Sequence, residues 1–252
     1  MKELIKKQLR QRGLEIKPIL DPGREGHAFF HVFERLAFFH SLGFQPKHIW
    51  DVGASNGQWT EACMNVFPEA TYFCVEPRDA HQKALVVRKA DWAGRMDFIQ
   101  ACLGPERGTA TMHQDGDGSS LLPGHSGKPY GEPVTVALET MDHLVDSGVT
   151  TVPELLKMDV QGFELEVVRG GKKAIQHTQA ILLEAAYRPF QKGMPIMHEI
   201  LKEMHDLGFV LADIFSLSLR PLDQMTAQSD LFFLKEGHAL FTDHRWDEHS
   251  EY

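Results

Sequence analysis

The chain has 252 residues, 42 % of them hydrophobic and 24 % charged, enough to build one large packed domain with some helix to spare. No apolar run approaches the roughly 18–20 residues of a membrane-spanning helix, and the opening MKELIKKQLRQRG carries basic residues without the apolar region of a secretory leader. A net charge of −9 disfavours a nucleic-acid partner, and the scattered Cys63, Cys74 and Cys102 suit reduced thiols in a cytoplasmic protein, not a disulfide frame or a zinc site.

Residues 1–45 read as a helical extension. Within Gly26–Phe44 the apolar side chains Phe29, Val32, Phe33, Leu36 and Phe39 recur at helical spacing, and Gly43 is a suitable stop. Phe30 and Phe38 widen the stripe, so this helix is expected to cover an acceptor pocket or a subunit interface and thereby to support a homo-oligomer. Residues 46–236 alternate between strand and helix. Strands are predicted at His48–Val52, Ala70–Val75, Met96–Ala101, Val134–Leu138, Leu155–Val160 and Ala180–Glu184. Helices are predicted at Gly57–Val66, Ala80–Ala90, Glu139–Asp146, Glu164–Ile175 and Ile196–Leu207, with a hairpin and mobile loop in Gly104–Glu132. Phe209–Ile214 and Asp230–Leu234 close the pattern as an antiparallel pair at one edge, and residues 237–252 form a tail. The expected fold is α/β, with a mostly parallel Rossmann-like sheet that binds ligands at the carboxyl ends of its strands.

The first strand runs into Asp51-Val52-Gly53-Ala54-Ser55-Asn56-Gly57, whose small residues permit a tight turn and bring backbone N–H groups close to a ligand. A carboxylate at Asp51 repels a pyrophosphate but attracts the ammonium of an amino acid. Glu76 ends the next strand, near the spacing at which an acidic residue takes a ribose hydroxyl pair. An adenosyl amino acid, S-adenosylmethionine (SAM), fits these features better than a dinucleotide. Pro77, Ala101 and Cys102 stand at the same strand ends.

IWDVGASNGQWT and FCVEP resemble the first two SAM-binding motifs, and LLKMDVQGFELEVVRGG resembles the signature segment of the FkbM-type methyltransferases, a Lys-x-Asp-x-x-Gly-x-Glu run met here at Lys157, Asp159, Gly162 and Glu164. GDGSSLL and VALETMDHLV match that family in order, so the resemblance covers Ile49 to Leu234. It implies a class I methyltransferase sheet, SAM as cofactor, Ser119 and Ser120 near cofactor or substrate, and a catalytic region at Asp159 and Glu164. Gln161 departs from the pattern, which usually has Glu at that position.

Methyl transfer to oxygen needs a base beside the acceptor hydroxyl. Asp159 at a strand end, Glu164 one turn into the next helix and Glu184 at the following strand end are the candidates. A hard ion such as Mg²⁺ would take the same oxygens, and the sequence leaves open whether one is bound. Structural roles compete: Glu164 favours its helix dipole, Lys157 suits a buried ion pair, and Glu184 can pair with Lys157 or Arg188. His27, His31 and His40 are candidate lining for an acceptor pocket. His27/His31 and His198/His205 share helix faces without metal-site chemistry around them. The expected activity is O-methylation of a sugar, glycolipid or polyketide-like metabolite. Its rivals are a nucleotide-dependent oxidoreductase, disfavoured by Asp51, and a SAM-binding scaffold without turnover.

Overall fold

HIWDV, TYFCV, LLKM and AILLEAA are buried at nearly every position, the signature of strands covered on both faces. The computed structural model describes residues 27–92, 94–116, 118–124 and 131–242. In chain order these carry α1 (His27–Ser41), β1 (His48–Val52), α2 (Gln58–Val66), β2 (Thr71–Val75), α3 (Asp79–Asp91), β3 (Met96–Ile99), β4 (Cys102–Leu103), β5 (Gly108–Gln114) and β6 (Glu132–Glu139). They continue with α4 (Met141–Asp146), β7 (Leu155–Met158), α5 (Glu164–Arg169), α6 (Ala174–His177), β8 (Ala180–Ala186), α7 (Met197–Asp206), β9 (Phe209–Leu219) and β10 (Thr226–Lys235).

Seven strands form one sheet in the order β3-β2-β1-β7-β8-β10-β9. The first five are parallel, and β10 runs antiparallel to both β8 and β9. Alternate residues feed two cores. Trp50, Val52, Leu156, Met158 and Leu183 pack with Met141, Val167, Ile175 and Met204 from α4 to α7. Ile49, Cys74, Leu155, Leu182 and Phe232 pack with Val32, Leu36 and Phe39 of α1, Trp59 and Cys63 of α2 and Leu85 of α3.

The sheet and its antiparallel edge match the expected class, with three local differences. The partner of β5 is β6, on the far side of the glycine-rich stretch, and β4 joins them as a separate three-stranded sheet. The span Glu164–Ile175 is two helices. The carboxylate of Asp142 accepts the N–H groups of Lys173 and Ala174 at 3.0 and 2.9 Å, starting α6 afresh, while Gly170 passes so near Gly104 that a Cβ there would lie 1.9 Å from its carbonyl oxygen. Helix α1 is built into the second core. Phe39 packs tilted against the stacked pair Phe215 and Phe232 (5.8 and 4.7 Å), Phe33 meets Trp59 at 5.9 Å, and Arg35 pairs with Asp213 at 2.5 Å. The stripe is thus spent largely on the sheet itself. His27, Phe29, Phe30 and His31 belong to α1, but their side chains, like residues 1–26 and 243–252, lie outside the described residues.

Candidate active site

At the carboxyl edge of β1, β2 and β7 the chain encloses a cavity of about 240 Å³. Its first wall is the turn after β1. Gly53 has φ +76°, and its N–H and that of Ala54 donate to the carbonyl of Val75 at 2.9 and 3.1 Å. A Cβ on Gly53 would stand 1.9 Å from the carbonyl oxygen of Asp159, so this turn and the one after β7 touch backbone to backbone. Gly53→Ala is expected to cost about 2–4 kcal/mol, the scale of forced overpacking plus a strained φ. A thermal denaturation midpoint equal to that of the wild type would show that the two turns can part freely.

Glu76, 2 % exposed, braces the same wall. It accepts the N–H of Ser55 at 2.8 Å and the backbone N–H and Nε of Arg78 at 3.0 and 2.9 Å. A carboxylate offers about four lone-pair sites, so one acceptor position remains for a ligand hydroxyl. Ala54, Ser55, Asn56, Pro77, Ala101, Cys102, Ser119 and Ser120 line the cavity as well, whereas Gly57 stands behind it, at φ +82° against Arg88. Burial first, and the charge of Glu76 second, push the Cys102 thiol up to about 12, which keeps it an inert wall.

Ser119 and Ser120 are fixed more firmly than a mobile loop would be. Ser120 exchanges backbone hydrogen bonds with His113 of β5, and its hydroxyl donates to the carbonyl of Gln161 at 2.8 Å. Ser119 donates to the carbonyl of Gly116 at 2.7 Å.

Asp51 is fully buried and does not line the cavity. Its Oδ1 accepts Lys157 Nζ at 2.8 Å and its Oδ2 the hydroxyl of Thr60 at 2.7 Å. Lys157 also donates to the Gly53 carbonyl at 3.2 Å, stands 5.7 Å from the centre of the Trp59 ring, and itself lines the cavity. Burial works against its charge, but Asp51, Asp159 and Asp230 outweigh it and hold its pKa above the ordinary lysine value. The expected direct meeting of Asp51 with a ligand ammonium is therefore not what the geometry provides.

The turn after β7 adds Asp159, Val160 and Gln161 to the lining. Gln161 adopts φ +52°, and its Nε2 donates to Asp159 Oδ1 at 2.8 Å and to Glu184 Oε2 at 3.5 Å. Gln228 Nε2 donates to the same Glu184 oxygen at 2.5 Å. Register sets Glu184 of β8 beside Asp230 of β10, and Asp230 beside Ser216 of β9, whose hydroxyl donates to it. Burial, then the charges of Asp159, Asp230 and Glu164, push Glu184 well above the usual carboxylate range. Burial and Asp159 lift Asp230 to about 6 against the Ser216 hydrogen bond.

Glu164 is turned away from this group. Its Oε1 accepts the N–H groups of Val160 and Gly162, both at 3.2 Å, and burial takes it up to about 7 despite those bonds. It shapes the turn that presents Asp159. Among the described residues no three His, Cys, Asp or Glu side chains are grouped to hold a metal ion. His40 packs edge-on against Phe67 at 5.4 Å. Gln228, Asp230 and Ser216 were not among the sequence candidates. They reach the site through the pairing of β8, β10 and β9, which local motifs do not report.

A family profile described as "Methyltransferase FkbM domain" matches residues 51–211. The chain is similar to the 2-O-methyltransferase NoeI of Sinorhizobium fredii, 25 % identical over 168 residues, 61 % of this chain and 69 % of that protein. It is also similar to the hexuronic acid methyltransferase AglP of Haloferax volcanii, 28 % identical over 136 residues, a match that spans 54 % of each protein. In fold it resembles magnesium protoporphyrin IX methyltransferase from Synechocystis PCC 6803 in its complex with S-adenosylhomocysteine (SAH). That likeness has a TM-score of 0.50 and 12 % identity, over 93 % of this chain and 99 % of that one.

Proposed function

The chain belongs to the FkbM methyltransferase family, and from that premise we propose that it moves the methyl group of SAM to a hydroxyl of a sugar or glycan. The observation that carries this reading is one cavity lined both by a backbone turn braced by Glu76 and by the carboxylate of Asp159. Curated relatives named for 2-O-methylation and for hexuronic acid support a sugar acceptor.

The Gly53–Asn56 turn and Glu76 suit an adenosyl amino acid: the turn admits no side chain at Gly53, and Glu76 keeps an acceptor position for a ribose hydroxyl. Bound there, SAM supplies a methyl carbon made electrophilic by its positive sulfur. Asp159 would hold the acceptor hydroxyl and take its proton as the new O–C bond forms and the sulfur–methyl bond breaks, leaving SAH. Gln161 fixes the Asp159 carboxylate by one oxygen. Glu184, whose surroundings favour the protonated form, serves as a hydrogen-bond donor and not as the base. The donor set does not fit a divalent ion, because Glu164 is spent on backbone N–H groups and no metal-holding group of three is present among the described residues.

Labelled methyl transfer from SAM to a panel of neutral, amino and acidic sugars tests the reading, and failure to label any of them would sink it. For the cofactor wall, Glu76→Ala is expected to weaken SAH binding by about 1–3 kcal/mol, the scale of a charge-assisted hydrogen bond. Calorimetric titration giving the wild-type affinity would take Glu76 out of the site.

A further inference from the structure

Arg188 follows β8 by two residues and stands four beyond Glu184, at the carboxyl edge of the parallel strands. Its Nε is buried and has no hydrogen-bond partner. Its Nη2 meets the thioether sulfur of Met225 at 3.6 Å, a weak acceptor. Asp223 is near enough for the two charges to interact, but Arg220 already forks onto both of its oxygens. A buried guanidinium N–H without a partner is costly, and such groups are rare in folded proteins unless something from outside completes them. The complement of a guanidinium fork is a flat pair of anionic oxygens.

The surroundings suit a ligand. Met225, which meets the cation, is 53 % exposed, and Tyr187 and Phe190, beside Arg188 in the chain, are 39 and 38 % exposed. Tyr187 is steadied by the Ser229 hydroxyl at 3.2 Å. Four residues of extended chain span about 14 Å at most, so a ligand at Asp159 and Glu184 can reach Arg188 within one or two sugar units. Asp159 repels an anion at its own position, which leaves the outer position to it.

We propose that Arg188 binds an anionic group of the methyl acceptor, a carboxylate or phosphate borne on the sugar, and so selects acidic glycans over neutral ones. This rests on the reading of the chain as a sugar-directed methyltransferase. The acid is drawn to Arg188 and kept from Asp159, which orients the ring with a hydroxyl toward the base.

Full-length protein saturated with SAH is titrated calorimetrically with glucose, glucuronate and glucose 1-phosphate. At least one acid is expected to bind tenfold or more tightly than glucose, and the two acids compared show whether carboxylate or phosphate is preferred. In Arg188→Gln that advantage falls below twofold while SAH affinity is unchanged. Arg188→Lys, which keeps the charge but not the fork, retains part of it and serves if the Gln variant does not fold. Equal binding of acids and glucose by the wild type, binding of none of them, or a preference undiminished in both variants overturns the proposal. If the acids bind through Arg188 but no sugar is ever methylated, the methyltransferase reading fails and the anion site stands.

Discussion

Asp159→Asn is expected to slow methyl transfer by about 10²–10⁴-fold, the range for loss of general-base help, with SAH affinity nearly unchanged. The substitution removes basicity and little else. An asparagine oxygen can still accept the Nε2 hydrogen bond of Gln161, now at 2.8 Å from Asp159 Oδ1, and the backbone N–H of residue 159 keeps its bond to the Val52 carbonyl at 3.0 Å. The turn touching Gly53 therefore stays in place. Glu184 cannot substitute readily, because burial and the remaining charges of Asp230 and Glu164 still favour its protonated form. Single-turnover transfer from labelled SAM to a sugar accepted by the wild type reads the chemical step, and calorimetry reads the cofactor. Chelator is expected to leave the wild-type rate unchanged, as the donor set implies. A variant turning over at close to the wild-type rate would move the base to Glu184 or Asp230, and loss of activity to chelator would restore a metal to the reaction.

The parts of this site that lie on one stretch of chain were legible before the structure. The turn after β1 is written in small residues because Gly53 must approach Asp159 backbone to backbone, and no side chain fits there. Glu76 and Asp159 follow strands whose apolar runs mark them as inner. What crosses the chain was not legible. Asp51 looks like a ligand group from its place at a strand end, yet Lys157, 106 residues away, takes it in a buried pair. Gln228 and Asp230 sit in a strand whose own pattern says only that it is an edge pair, and they reach Glu184 through register. The partner of β5 lies beyond the glycine-rich stretch and not within it, since hairpin signals report the turn and not which strand returns. Periodicity on α1 counts apolar side chains without showing that Phe215 and Phe232 wait for Phe39, which is why that one contact was not legible.

The buried pair leads to the largest expected effect on stability. Lys157→Met keeps the length of the side chain and its contact with Trp59 while removing the cation. Asp51 is then left fully buried with only the Thr60 hydroxyl donating to it. Breaking one side of a buried pair costs about 3–5 kcal/mol, because the remaining charge has neither water nor a counter-ion. That is a large share of the roughly 5–15 kcal/mol that holds a typical domain folded, so the variant is expected to unfold at markedly lower urea than the wild type at pH 7. The deficit has a definite pH dependence, because the Lys157 charge also holds down the pKa values of Glu184 and Asp230. Glu164 and Asp230 have folded pKa values raised to about 7 and about 6, so the folded state retains their protons longer and loses stability as pH rises from the usual carboxylate range through those values. Without Lys157 the Asp230 value climbs further, so the slope is steeper in the variant and the gap should widen as pH rises from 4 to 7. A gap that stays constant over that range would mean that the Lys157 charge does not act on Asp230, and no gap at all would mean that Asp51 finds another partner when Lys157 is gone.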